Sequence, residues 1–172
     1  MRPSVRAAVT LAAAGAALVP LTAAAAVHPE PRKIVAEGPA KVYDRKYEHT
    51  KTKIVVVPKQ DRTVVRLRVS GFPKQAAGRT FGAHVHVNGC GPRPEDAGPH
   101  YQRHDAPPGT PLREKEIWLD VAIGHDGEGR SRTVVPWKVG KGKAGSLIVH
   151  AEPTDPETGD AGARLTCTDV PF

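Results

Sequence analysis

The ten residues FGAHVHVNGC, 81–90, place His84 and His86 two apart in a run of small and β-branched residues, with Cys90 four positions later. Side chains alternate across a strand, so both imidazoles are expected on one face, with Ala83, Val85 and Val87 on the other. Two imidazoles on one face can converge on one ion. The pair alone is weak evidence, because exposed or hydrogen-bonded histidines are commoner than ligands. Two more histidines strengthen it: His150 ends the apolar run SLIVH, and His100 lies in the loop that follows Cys90. Four imidazoles on separated segments suit copper, zinc, iron or nickel.

Cys90 and Cys167 are the only cysteines. Residues 1–26 carry Arg2 and Arg6, then an alanine-dominated apolar stretch, then small residues fit for an A-x-A cleavage site, which is the pattern of a secretory signal peptide. Pro20 interrupts the stretch, which is short for a membrane span, so no membrane partner is expected after cleavage. The chain is therefore read as secreted, extracellular or periplasmic. In such an oxidising compartment the two cysteines should pair, stabilising the fold by up to about 4–5 kcal/mol on chain-entropy reasoning. The competing reading, two thiolate metal ligands, lacks the close C-x-x-C spacing.

The formal charge of +7 falls to +5 without Arg2 and Arg6. A positive surface attracts anions. Nucleic acid is not an expected partner, because the basic residues are scattered and the three tyrosines and three phenylalanines form no stacking platform.

These side chains need a scaffold. Residues 27–40 are proline-rich and read as a flexible lead-in, with one domain over 41–172. Apolar residues then recur with period two or in short runs at 52–58, 63–72, 80–87, 116–123, 132–139, 145–152 and 163–170. These are strands, punctuated by Gly and Pro, with a hairpin signal in GHDGEG at 124–129. No amphipathic helix follows residue 27, so an all-β antiparallel sandwich or barrel of about eight strands is expected. The stretch from Gly89 to Arg113 has six prolines and no periodicity. Loops of that length are usually functional or disordered, and a disulfide at its start argues for order.

GAHVHVNGC, AGPHY (97–101), LIVHAE (147–152) and GDAGARLTC (159–167), in this order, resemble the copper/zinc superoxide dismutase family over about 41–172. The close spacing of Cys90 to the H-x-H pair resembles its secreted bacterial members. The resemblance implies a Greek-key sandwich, a copper held by His84, His86, His100 and His150, and a Cys90–Cys167 disulfide. It implies that Arg164 guides and holds the superoxide anion beside the metal, and that His100 takes part in proton transfer. Disproportionation would convert superoxide to oxygen and hydrogen peroxide. A homodimer is compatible with the sequence and not required by it.

The zinc half departs from the family pattern. His104 follows His100 too closely, the place of the expected aspartate falls on or near Ile117, and Asp105 and Asp120 stand elsewhere. The stretch between His150 and Arg164 is also short. A copper-only member is expected, with zinc not bound. The second nitrogen of His100 then needs another acceptor, and Glu116, or Glu114, is the candidate; an exposed glutamate in the charged run REKE is the competing reading. Trp118 and Trp137 are expected only to pack. The alternative function is a non-enzymatic copper-binding or copper-buffering protein of the same fold.

Overall fold

The computed structural model describes residues 32–172. The expected signal peptide, 1–26, lies outside the described residues. Two four-stranded antiparallel sheets and a short strand pair make up the fold. The strands are β1 (Ile34–Pro39), β2 (Lys41–Val42), β3 (Lys51–Pro58), β4 (Thr63–Ser70), β5 (Thr80–Phe81), β6 (Ala83–His86), β7 (Val121–Ala122), β8 (Gly129–Val135), β9 (Ser146–His150) and β10 (Arg164–Asp169). One sheet runs β1-β3-β4-β8, the other β2-β10-β9-β6, and β5 pairs with β7. The chain changes sheet from β1 to β2, from β2 to β3, from β4 to β6, from β6 to β8 and from β8 to β9, giving the expected all-β Greek-key sandwich. Among the described residues helix is confined to single turns, the longest being α1 (Leu112–Lys115) and the 3-10 turn Pro94–Ala97.

The period-two pattern places the core. Ile54 and Val56 of β3 and Val65, Leu67 and Val69 of β4 face Ala83, Val85, Leu147, Val149 and Leu165 of the other sheet. Each large aliphatic side chain so buried contributes about 1.5–3 kcal/mol. Tyr47, Phe72 and Phe81 join the same core, their ring centroids 5.1–6.0 Å apart in edge-on contacts. Trp137 packs in the core as expected.

Two expected boundaries are corrected. The lead-in assigned to 27–40 is not flexible throughout, because Ile34–Pro39 forms β1 and pairs with β3 from Ile34↔Val56 to Pro39↔Lys51. Its alternation of half-buried and exposed residues is that of an edge strand, and Pro39 is tolerated there because an edge residue can lack a donor. The strand expected over 116–123 is regular only at Val121–Ala122. Its first half instead lies along β6, where Val85 N donates to the Ile117 carbonyl and Leu119 N to the Ala83 carbonyl.

Candidate metal centre

β6 supplies the floor of the site. Ala83 and Val85 enter the core, so His84 and His86 project from the opposite face, yet both are fully buried. Three segments cover them. Residues 97–101 run antiparallel along the free edge of β6, with Val87 N bonded to the Pro99 carbonyl and Tyr101 N to the Val85 carbonyl, so that His100 stands opposite His86. Residues 116–119 cover the rest of that edge, with Trp118 opposite His84. The segment after β9 folds back over β6, where Gly82 N donates to the Glu152 carbonyl at 2.7 Å. A Cβ at Gly82 would stand 2.6 Å from the Ala161 Cβ, so glycine permits this close approach.

His84, His86, His100 and His150 offer one nitrogen each, all within 4.8 Å of one another, and among the described residues they form the group suited to a metal. His86 Nε2 and His150 Nε2 are 3.4 Å apart. The other nitrogens are engaged. His86 Nδ1 lies 2.9 Å from the Gly98 carbonyl, His150 Nδ1 lies 3.2 Å from the Gly162 carbonyl, and His100 Nδ1 lies 2.9 Å from Glu116 Oε2. Each of these acceptors holds a proton on Nδ1 and leaves Nε2 as a lone-pair donor. For His84 the order is reversed: Nε2 bonds Thr154 Oγ1 at 2.7 Å, and Nδ1 is buried without a partner. An orphaned ring nitrogen beside three uncommitted Nε2 atoms fits a bound cation. The donor set, four imidazoles, fits copper, zinc, iron or nickel by ligand type.

Electrostatics agree. Burial, reinforced by the neighbouring histidines, drives His84 far below the usual imidazole range. Burial also lowers His86 to about 3 and His150 to about 4, against the opposing pull of their carbonyl acceptors. All three are therefore neutral near pH 7, as ligands must be.

Glu116 is buried, which settles it against the exposed reading. Its burial alone would raise its pKa, but bonds from His100, Trp118 Nε1 at 2.7 Å and Gln102 Nε2 at 2.7 Å hold it below the usual carboxylate range. Trp118 thus does more than pack, in contrast to the sequence expectation. It sits two residues from Glu116 on the same side of an extended segment, and the alternation of that segment was the signal available for it.

Cys90 and Cys167 form a disulfide, with Cα atoms 5.8 Å apart, joining the start of the His100 loop to β10. Arg164 begins β10 opposite His150, at a bulge between Arg164 and Thr166. It is half-buried, and its Nη1 and Nη2 donate to the carbonyls of Pro94 and Gly98 at 2.7 Å each. Ile117 is wholly buried in the core, and His104 is exposed outside the histidine group. Two residues were missed from sequence: Thr154, which touches His84, and Asp120, which binds Thr154. They lie 34 residues apart, and no local pattern marks either one.

The family model for copper/zinc superoxide dismutase (SODC) matches residues 50–170. A search of curated protein sequences finds no significant match. The matched span runs from β3 through β10 and takes in all four histidines, both cysteines and Arg164; the chain belongs to the copper/zinc superoxide dismutase family.

Proposed function

We propose that the protein is a secreted, copper-only superoxide dismutase, in which two superoxide ions and two protons become oxygen and hydrogen peroxide. The observation that carries this reading is the orphaned, buried Nδ1 of His84 among three uncommitted Nε2 atoms. His84 Nδ1 and the Nε2 atoms of His86, His100 and His150 would hold the copper. When bound, copper supplies a one-electron couple, accepting an electron from one superoxide and returning it to the next.

The remaining work falls to side chains. Arg164 places a fixed positive charge at the edge of the group, raising the local concentration of anions and orienting them. His100 is the least buried of the four, with its side chain 18 % exposed, and its Nδ1 is backed by Glu116. It is the ligand best placed to exchange a proton with solvent. Deep burial of His84 and His86 keeps water from competing at the back of the site.

Support for copper alone comes from the same side. The nitrogen of His100 that would otherwise be free for a second metal bonds Glu116, and the place of the expected aspartate holds Ile117 in the core. The disulfide agrees with an oxidising compartment. The test is elemental analysis after exposure to both metals, followed by a superoxide assay. One copper per chain, little zinc and rapid superoxide removal are expected. One retained zinc per chain would end the copper-only reading, and copper without turnover would leave a copper buffer.

A further inference from the structure

We propose that Thr154 and Asp120 form a positioning pair that fixes the tautomer of His84 and tunes it as a copper ligand, an inference that rests on the copper reading above. The four histidines are not alike. Three of them bond an acceptor through Nδ1 and leave Nε2 free; His84 bonds through Nε2 and leaves Nδ1 without a partner. Neutral imidazole carries one proton, so His84 offers a lone pair at Nδ1 only in the tautomer opposite to that of the other three. Something must enforce it.

The hydrogen bonds around Thr154 do so by elimination. An ionised carboxylate only accepts. Asp120 accepts the backbone N–H of Thr154 at 2.9 Å through one oxygen, and the Thr154 hydroxyl through the other. The hydroxyl has one proton, and it is committed to Asp120. Only lone pairs remain toward His84, so Nε2 must donate to Thr154 Oγ1, and Nδ1 is left as the electron-pair donor. The N–H bond from Thr154 to Asp120 anchors the segment after β9 against residues 116–122, which holds the hydroxyl in register. Gly82 makes room: a Cβ there would stand 2.9 Å from Thr154 Oγ1.

The pair also has an electronic effect. His86 and His150 are backed by neutral peptide carbonyls, whereas His100 is backed by a carboxylate directly and His84 by a carboxylate through a hydroxyl. Bonds in series polarise one another, and negative charge behind an imidazole raises its donor strength. A stronger donor favours the more highly charged Cu(II) over Cu(I), lowering the reduction potential. Thr154 and Asp120 touch neither metal nor substrate; they act through His84.

The experiment uses Thr154→Val, Thr154→Ser and Asp120→Asn in the full protein. Cu(II) affinity is read by competition with a chelator, the copper environment by its electron paramagnetic resonance spectrum, and the potential by redox titration. Thr154→Val is expected to weaken Cu(II) binding about tenfold or more, change the copper hyperfine splitting and raise the potential. Thr154→Ser should restore all three, and Asp120→Asn, which keeps an acceptor but loses the charge, should fall between. A merely structural role would lower the melting temperature of the metal-free protein without moving the spectrum or potential of the loaded one. Wild-type affinity, spectrum and potential in Thr154→Val overturn the proposal, as does failure of Thr154→Ser to restore them. Should Thr154→Val not fold, an unshifted potential in Asp120→Asn overturns it equally. Wild-type protein that binds copper yet leaves superoxide untouched, with these shifts seen in the variants, overturns the enzymatic reading and keeps the pair; wild-type protein that takes up no copper overturns both.

Discussion

Arg164 and His86 share one acceptor: the Gly98 carbonyl receives 2.7 Å from Arg164 Nη2 and 2.9 Å from His86 Nδ1. Gly98 lies at φ +71°, and a Cβ there would meet the Val87 side chain at 2.7 Å, so this turn requires glycine. The proposed anion guide is therefore also a brace for the backbone that orients a ligand.

Arg164→Ala tests both roles. At equal copper loading it is expected to slow superoxide removal roughly tenfold, since positioning and charge are lost together. Its rate should depend less on ionic strength than the wild-type rate, because the screened charge is gone. The Pro94 carbonyl also loses this donor and the Gly98 carbonyl keeps only His86 Nδ1, so a stability loss of about 1–3 kcal/mol is expected in urea melts. Arg164→Lys should keep much of the salt dependence while losing the two-pronged brace. Equal rates and equal salt dependence in wild type and Arg164→Ala would remove the enzymatic assignment.

Reduction of the Cys90–Cys167 disulfide, or Cys167→Ser, should lower stability by up to about 4–5 kcal/mol, the figure for a closed loop of this length. Copper affinity should fall with it, because Cys90 anchors the loop that carries His100. Thermal melts of metal-free protein and copper competition measure the two effects. Unchanged copper affinity in the reduced protein would show that the loop holds His100 without the bridge.

Acid should destabilise the metal-free protein. His86 is lowered to about 3 and His150 to about 4, chiefly by burial, and His84 is lowered further. Imidazoles in the unfolded chain titrate near 6.5. Folded values below the unfolded one mean that this stability is complete above about pH 6.5 and is lost as pH falls toward about 4, because the unfolded chain takes up protons that the folded one refuses. Glu116, also lowered, adds a loss of the same sign below the usual carboxylate range. A decline of a few kcal/mol between about pH 7 and about pH 4 is expected in thermal melts. A flat profile over that window would show that the histidines are not held neutral by the fold.

Ile117→Asp should not create a zinc site. Glu116 and Trp118 face the histidines while Ile117, between them, is wholly buried in the core, so a carboxylate placed there is desolvated without a partner. The expected loss exceeds about 4 kcal/mol, read by urea melts. A variant that folded like wild type and took up one zinc would show that burial at position 117 does not bar a metal ligand there.

Within the histidine group, the His84 and His86 pair was legible because its determinants are local, whereas His100 and His150 joined it through the family resemblance. Alternation put His84 and His86 on one face, and Glu116 was within reach of the need His100 creates. β1 was missed because Pro, Gly and Glu dilute its apolar signal, and only its pairing with β3 shows it to be a strand. Asp120 and Thr154 were illegible for another reason. Their meeting depends on how the segment after β9 folds back over β6, and a glycine at position 82 signals close approach without saying of what. Trp118 lies between these cases, because its side was readable but its acceptor was not.

β10 lies between β2 and β9 in its sheet, and it brings Arg164 and Cys167, while His150 ends β9. A chain emerging from N to C terminus therefore displays His84, His86 and His100 well before it has the fourth nitrogen, the guanidinium or the sulfur that locks the loop. Until β10 slots between strands already made, the second sheet is open in the middle. A partly synthesised chain has three histidines and no cage, so the four-nitrogen group is complete only once β9 and β10 are in place.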